Sequence, residues 1–345
     1  MDHKSIFTVL TTINDPNSRV KDWYEITGNK VIVIGDNKTP PGWNHPNCEF
    51  HSIVEQKKSN FTLAKTIAEN HYTRKNIGYL YAIENGAEVI IDTDDDNFPY
   101  VDCWRKLLLG YFSIKQIRES TESCYKNVYT YFSEKDSPFW PRGFPIDLLT
   151  SCSSIIQKSE IIDSSHSPNV ALWQCMVNGD PDIDALHRLI FRKTPEFEKK
   201  DPILFSKGNL CPLNSQNTLW LKKDTFSLLY LPSTVSFRFT DILRGYVAQV
   251  ILHSKDFHWG FYPATAVQER NDHNLMNDFD SEILMYQNTR KIIDILLCTV
   301  NIKDSVTDNL MNSYHALSRH NYVRDQELSN LDHWLDDLST ALNNA

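Results

Sequence analysis

The sequence predicts an α/β fold: a mixed central sheet of the nucleotide-binding type, flanked by helices and followed by a C-terminal helical extension. Three observations lead there. Short β-rich runs alternate with segments of helical spacing through the N-terminal third. Several of those runs are apolar almost without a break, as in a sheet covered on both faces. Polar and acidic residues gather where the runs end, which is where open α/β sheets collect ligands.

The elements follow in order. Residues 5–12 (SIFTVLTT) and 30–36 (KVIVIGD) read as two short strands that end in polar side chains. Residues 61–87 carry helical spacing at Leu63, Ile67, Ile77, Leu80, Tyr81 and Ile83, with Gly86 as a stop signal. Residues 87–94 (AEVIIDTD) then read as a buried strand. CWRKLLLGYFSIKQI, 103–117, reads as helical, and NVYTYF, 127–132, as a strand. SPFWPRGFPIDLL, 137–149, is an aromatic, Pro-containing loop, and 228–252 reads as a loop leading into a helix that begins near Asp241 and Arg244. In the C-terminal stretch 324–343, Leu328, Leu331, Trp334, Leu335, Leu338 and Leu342 share one helical face that is expected to pack on the body. Residues 1–300 are expected to form one domain, and 301–345 the extension packed on it.

Composition narrows the function. The chain has 345 residues and a net charge of −9, so a basic surface for nucleic acid is not expected. No segment reaches the roughly 18 apolar residues of a membrane span, and the N-terminus runs into a strand without a signal peptide's apolar core. Seven scattered cysteines without a CxxC suit reduced thiols, and a cytoplasmic location is expected.

The most informative stretch is VIIDTDDDNFPY, 89–100, where four of the five residues 92–96 are acidic. Adjacent carboxylates repel. A fold that keeps them at a strand end needs a positive partner there, and a divalent ion is the usual one. An EF-hand does not fit: counting from Asp92, Asn97 stands where the loop needs Gly and Cys103 where it needs Glu. A haloacid-dehalogenase phosphatase fits poorly, because Asp96 replaces the usual Thr or Val and the strand lies too far along the chain. A sugar-nucleotide glycosyltransferase remains, in which an Asp-x-Asp element holds an ion against a diphosphate.

Further blocks make the resemblance specific. RKNIGYLYAIENGAEVIIDTDDDN (74–97) is similar to a segment shared by the plant reversibly glycosylated polypeptides, which include UDP-arabinopyranose mutases, and by the STELLO-like family. WPRGFP (140–145), NGDPDIDALHRL (178–189), LYLPSTVSFRFTDILRGYVAQ (229–249) and VQERNDHNLMNDFDSEI (267–283) resemble the STELLO-like side, and together the blocks span most of the chain. The resemblance implies a GT-A-like glycosyltransferase fold. Leu149 stands where the mutases carry a sugar-bearing arginine, so it implies transfer to an external acceptor, a glycan or another hydroxyl compound, and not mutase chemistry.

Roles follow from the residues and the resemblance together. Asp94 and Asp96 lie on one face of an extended segment and are the candidate ligands for Mn²⁺ or Mg²⁺. The GT-A pattern adds His273 as a third ligand, with His258 as its competitor. Asp95 is grouped with the nucleotide site, its side chain turned toward a neighbouring loop, and Asp92 is a candidate for a ribose or backbone contact. Arg74 and Lys75 are expected to reach diphosphate oxygens. Asp36 is expected to accept from the imide N–H of uracil, with Thr11 and Thr12 lining the base or ribose pocket. Asp182 is the expected general base of an inverting transfer and Asp184 its alternative, while helix capping competes for the same block. Arg142, Arg238, Asp241, Arg244 and Arg270 are candidates for the donor-sugar or acceptor pocket, with one half of a structural ion pair as the equal alternative for each. The expected activity is metal-dependent transfer from a nucleoside-diphosphate sugar, a UDP-sugar in the first instance. The alternative is a non-catalytic scaffold of the same fold that serves polysaccharide synthesis.

Overall fold

The computed structural model describes residues 5–28, 30–110, 112–119, 124–134, 139–150, 154–164, 169–191, 193–269 and 274–345. Its strands are β1 (Ile6–Thr12), β2 (Val31–Gly35), β3 (Glu49–His51), β4 (Val89–Thr93), β5 (Asn97–Pro99), β6 (Lys115–Ile117), β7 (Cys124–Tyr125), β8 (Ile161–Asp163), β9 (Val170–Asn178), β10 (Ile203–Phe205), β11 (Asn209–Leu210), β12 (Asn217–Trp220) and β13 (His258–Gln268). Its helices are α1 (Arg19–Thr27), α2 (Ile53–Lys58), α3 (Leu63–Thr66), α4 (Lys75–Glu84), α5 (Val101–Leu109), α6 (Tyr129–Phe132), α7 (Ala185–Ile190), α8 (Thr240–Ser254), α9 (Leu275–Thr299), α10 (Val306–Arg319) and α11 (Gln326–Asn344).

The sheet is mixed. Its order is β3-β2-β1-β4-β12-β9-β13-β10-β6-β8, with β5 added onto β13. The first four strands are parallel neighbours, and β12 runs antiparallel between β4 and β9. The chain leaves β1 for β2 and β3 on one side and returns to β4 on the other. That reversal opens a crevice at the carboxyl ends of β1 and β4.

Burial explains the unbroken apolar runs. All five residues of β2 are buried, and successive ones alternate between two cores: Ile32 and Ile34 enter one, Val31 and Val33 the other. Both faces are therefore covered, which removes the polar alternation of a half-exposed strand. Helix α4 covers the first face at close range. A Cβ on Gly78 would lie 2.6 Å from Val9 Cγ1 and 2.9 Å from Ile34 Cγ1, so only glycine fits there. On the other face Trp23 of α1 meets Trp104 of α5 edge to face at 5.4 Å.

Two local expectations are corrected. NVYTYF is not a strand: Tyr129–Phe132 forms one helical turn, started by the Asn127 side chain, which accepts from the Tyr129 N–H at 3.1 Å. Tertiary packing overrides the β propensity of its aromatic residues. The helical reading of 103–117 ends early, at the left-handed Gly110, and Lys115–Ile117 is a strand.

The C-terminal helices are joined to the body through buried polar contacts. Asp337 of α11 accepts from the N–H groups of Thr62 and Leu63, at 3.0 and 2.8 Å, and so caps α3. Glu327 is fully buried and accepts from the N–H groups of Ser233 and Thr234. Leu331, Trp334 and Leu338 are buried as the helical face requires, Leu328 and Leu335 are half-buried, and Leu342 is exposed at the frayed end.

Candidate functional site

The carboxyl ends of β1, β2 and β4 open into a cleft of about 520 Å³. Thr11 and Thr12 come from the end of β1, Gly35 and Asp36 from the end of β2, and Asp94–96 from the end of β4. The opposite wall is built by Asp180–Asp182, Gln216, Phe237, Arg238, Asp241 and Gln268.

The acidic run divides into three environments. Asp92 is fully buried and clamped between two cations: Lys75 Nζ lies 2.7 Å and Arg244 Nη1 2.8 Å from its oxygens. Asp95 faces the loop after β1, accepting from Thr12 Oγ1 at 2.5 Å and Asn14 Nδ2 at 3.0 Å. Its carbonyl accepts from Asn17 Nδ2 and Arg19 Nη1. Asp94 and Asp96 are the two that face the cleft with unused capacity. Lys75 Nζ reaches Asp94 Oδ1 at 3.2 Å, and Gln268 Nε2 donates to Asp96 Oδ1 at 2.7 Å.

Both of these carboxyls hold protons more tightly than usual. Burial pushes Asp94 up to about 8, with the like charges of Asp96 and Asp92 adding to it against the pull of Lys75. Burial also raises Asp96, and neighbouring Asp95 adds to that. Burial is the largest cause in both and like charge adds to it, so ionising these carboxyls carries an energetic cost. A divalent ion would remove it. Among the described residues no three His, Cys, Asp or Glu side chains cluster as a metal cage. Two carboxylates completed by phosphate oxygens and water are nevertheless the ordinary environment of Mg²⁺ beside a nucleotide. His273, together with Arg270, lies outside the described residues. His258 begins β13, whose other end, Gln268, lines the cleft. Ten residues of strand put it about 30 Å away, so it is no ligand here.

The opposite wall is a network of ion pairs. Arg142 holds Asp182 through Nε–Oδ1 at 2.6 Å and Nη2–Oδ2 at 2.9 Å. The same guanidinium contacts Asp241 at 2.9 Å, and Asn214 Nδ2 donates to Asp182 Oδ2 at 2.8 Å. Burial by itself would raise Asp241, but Arg142 outweighs it and holds that carboxyl low. Asp180 pairs with Arg188 at 2.6 Å, and Arg238 is bound by Glu282 and Asp278. A ring of aromatic groups flanks the same wall: Phe237 is 58% exposed and lies edge to face with both His71 and Tyr72.

Several sequence-predicted roles change. Asp184 does not line the cleft. It is fully buried, caps α7 through the His187 N–H at 2.8 Å, and accepts from Trp140 Nε1 at 2.5 Å. Of the two candidate bases in that block, capping describes Asp184, and Asp182 is the one that lines the cleft, beside Asp180. Arg74 lines the cleft but gives three of its five donors to the fold, on Gln56 Oε1, the Ile67 carbonyl and the Ala64 carbonyl, so most of its guanidinium is engaged away from a diphosphate. Asp36 lines the cleft, yet its oxygens accept from the backbone N–H groups of Asn37, Asn70 and His71. It ties loop 70–71 to the end of β2, and an imide contact with uracil would compete with those bonds. Asp92 is sealed by its ion pairs and makes no contact in the cleft. Arg244 is buried against it.

The sequence reading passed over Gln216, Gln268, Asn214, Phe237 and Lys38. Gln216 and Gln268 bond each other, Gln268 supports Asp96, and Asn214 supports Asp182. Amide side chains carry no charge pattern, so their only signal was their place beside strand ends and acidic blocks.

The cleft can now be set beside known proteins. A sequence model of the STELLO glycosyltransferases matches residues 238–343. Over 96% of its length the chain is 27% identical to the Arabidopsis thaliana protein described as "Probable glycosyltransferase STELLO1" and 25% identical to its counterpart STELLO2. The chain spans 44% of the length of each of these relatives. Among solved structures, the mannosyltransferase PcManGT of Pyrobaculum calidifontis in complex with GDP-Man and Mn²⁺ aligns with 98% of this chain and 87% of its own, at 9% identity and a TM-score of 0.40. Glucosyl-3-phosphoglycerate synthase of Mycobacterium tuberculosis in complex with Mg²⁺ and UDP aligns with 86% of this chain and 80% of its own, at 9% identity and a TM-score of 0.39. By the matched model and the two sequence relatives, the chain is similar to the STELLO glycosyltransferases.

Proposed function

We propose that the chain is the catalytic domain of a GT-A-type glycosyltransferase. In this reading it moves a sugar from a nucleoside diphosphate, a UDP-sugar in the first instance, to a hydroxyl acceptor with the help of Mn²⁺ or Mg²⁺. The carrying observation is the charge of the cleft. Seven aspartates and five lysines or arginines line it, and four of those aspartates, 36 and 94–96, stand at strand ends. A diphosphate brings at least two further negative charges, so it needs a cation to enter.

Asp94 and Asp96 are the residues that would hold that cation, with His273 as a further candidate. When bound, the ion would neutralise the diphosphate and make it a better leaving group. Thr11, Thr12 and the aromatic groups His71 and Phe237 are assigned to the nucleoside side. Asp182 is assigned to the acceptor side, where the acceptor hydroxyl would lose its proton. An ionised carboxylate has about four acceptor positions. Arg142 and Asn214 take three of those of Asp182, which leaves one for an acceptor hydroxyl.

That saturation also favours a second reading of the stereochemistry. With three of its acceptor positions taken, Asp182 has little room to receive a hydroxyl, so transfer with retention, in which no protein base acts and the departing diphosphate takes the acceptor's proton, competes with inversion. The experiment is a screen of UDP-sugars and GDP-sugars with Mn²⁺, read by calorimetry for binding and by NMR for the anomer released. Metal-dependent binding followed by hydrolysis or transfer supports the enzyme, and the anomer separates the two stereochemical readings. Binding without turnover of any donor leaves the scaffold. No binding of any nucleotide overturns the proposal.

A further inference from the structure

We infer that Lys75 is a built-in cation of the donor site: its ammonium, anchored on Asp92 and shared with Asp94, supplies part of the positive charge that the nucleotide needs and competes with the divalent ion for Asp94. This rests on the donor-site reading above and adds to it a fixed charge inside the fold.

The argument begins with burial. Lys75 is completely buried, and an ammonium group leaves water only for strong partners. Its ammonium lies 2.7 Å from Asp92 Oδ1 as an ion pair and donates to Asp94 Oδ1 at 3.2 Å and to the Ser215 carbonyl at 3.4 Å. An ordinary structural pair with Asp92 would account for the first contact alone. Asp92, however, is already neutralised by Arg244, whose Nη1 lies 2.8 Å from the other carboxylate oxygen. Two cations on one carboxylate leave one positive charge over, shared with Asp94, whose carboxylate balances it when ionised. That surplus lies on the side where Asp94 enters the cleft, its side chain 30% exposed. Lys75 is also the first residue of the ten-residue helix α4, so the positive end of that helix dipole points the same way.

Two consequences follow. An ion bound at Asp94 sits within a few ångströms of an ammonium, and the repulsion weakens metal binding until a diphosphate is present. Conversely, a diphosphate at this site meets one positive charge even when no metal is bound. The free protein should therefore bind divalent ions weakly, and should retain some nucleotide affinity in a chelator.

The test compares wild type with Lys75→Met. Mn²⁺ binding without nucleotide is read by electron paramagnetic resonance, and UDP binding in EDTA by calorimetry. Removing one charge at this range is expected to tighten Mn²⁺ about tenfold or more and to weaken UDP in EDTA by a similar factor. Unchanged or weaker Mn²⁺ binding, or unchanged UDP binding in EDTA, overturns the inference. Lys75→Arg keeps the charge and should behave as wild type in both. Should Lys75→Met fail to fold, the wild-type protein with ¹⁵N-labelled lysines still decides: Mg²⁺ should shift the protected Lys75 ammonium signal, and an unmoved signal overturns the inference. A wild-type protein that binds Mn²⁺ and UDP while Lys75→Met matches it rejects Lys75 alone. A wild-type protein that binds neither rejects the donor site as well.

Discussion

Arg142 grips Asp182 at two points, Nε to Oδ1 at 2.6 Å and Nη2 to Oδ2 at 2.9 Å, and turns the same guanidinium to Asp241 at 2.9 Å. One arginine thus joins the loop after β9 to the start of α8. All three side chains are more than nine-tenths buried or close to it, with side-chain exposures of 8, 11 and 8%. Arg142→Met leaves two nearly buried carboxylates without their cation, and a loss of about 3–5 kcal/mol of stability is expected. Asp182→Asn should cost less, because Asp241 still holds the arginine. Urea denaturation of both variants and of the double variant checks this. If Arg142→Met costs no more than a surface substitution, the network is not what holds the wall together.

The two cleft-facing carboxylates should separate from their neighbours by function. Asp94→Ala and Asp96→Ala are expected to reduce metal-dependent UDP affinity by more than about a hundredfold, beyond what loss of a supporting residue costs. Asp95→Ala removes the contacts with Thr12 and Asn14 instead, so it should lower thermal stability while metal-dependent binding persists. Calorimetry with UDP, with and without Mn²⁺, measures all three. Equal losses in all three variants would count against two distinct roles.

Much of this architecture is legible in the sequence, for physical reasons that can be named. The strands 6–12, 31–35 and 89–93 are buried on both faces, so their apolar runs are continuous and stand out. The acids at the end of β4 stand out because adjacent carboxylates repel and so are rarely crowded without partners. The roles of adjacent residues are harder to read. Arg74 and Lys75 sit side by side, yet the 3₁₀ turn before α4 directs one into carbonyls of the fold and the other toward the acidic run. Asp182 and Asp184 are two residues apart, yet one faces the cleft and the other caps α7 beneath Trp140. Both outcomes depend on side chains distant in the chain, Gln56 for Arg74 and Trp140 for Asp184. Local pattern carries no trace of them. The central strand β9 is legible only in retrospect, because VALWQCMVN suits a buried strand or a buried helix equally well.

Asp184 makes a pH prediction. Burial pushes its carboxyl up to about 7, ahead of the bonds from His187 and Trp140 that pull it down. The unfolded chain releases the same proton near 3.9. Between these values the folded state holds the proton and the unfolded state does not, so stability falls as pH rises from about 4 to about 7. His187 acts in the opposite sense. Burial holds it near 4, so it is neutral in the fold and charged in the unfolded chain across much of that window, and its contribution rises with pH. The two must be separated. Asp184→Asn removes the first and keeps the second, so wild type should lose stability relative to the variant as pH rises through that window. Denaturation curves at several pH values give the difference, and a flat difference refutes the assignment.

Gly179 ties the wall that carries Asp182 to the side that carries Asp96, and it provides the last test. Its φ is +80°, and a Cβ there would lie 2.4 Å from the carbonyl oxygen of Gln268. Alanine is thus strained twice, by the left-handed backbone and by a clash with a main-chain atom that has little room to retreat. Relief requires the Gln268 backbone to move away. Its side chain is the donor to Asp96 at 2.7 Å, and the loop on the other side of the glycine carries Asp180 and Asp182. Gly179→Ala is therefore expected to cost on the order of 1–3 kcal/mol in stability. It should also weaken metal-dependent UDP binding, although residue 179 touches neither ligand. Gln268→Ala removes the same donor without backbone strain. It should reproduce the binding defect with a smaller loss of stability. A binding defect in Gly179→Ala that Gln268→Ala does not share would mean that the strain reaches the site by another route.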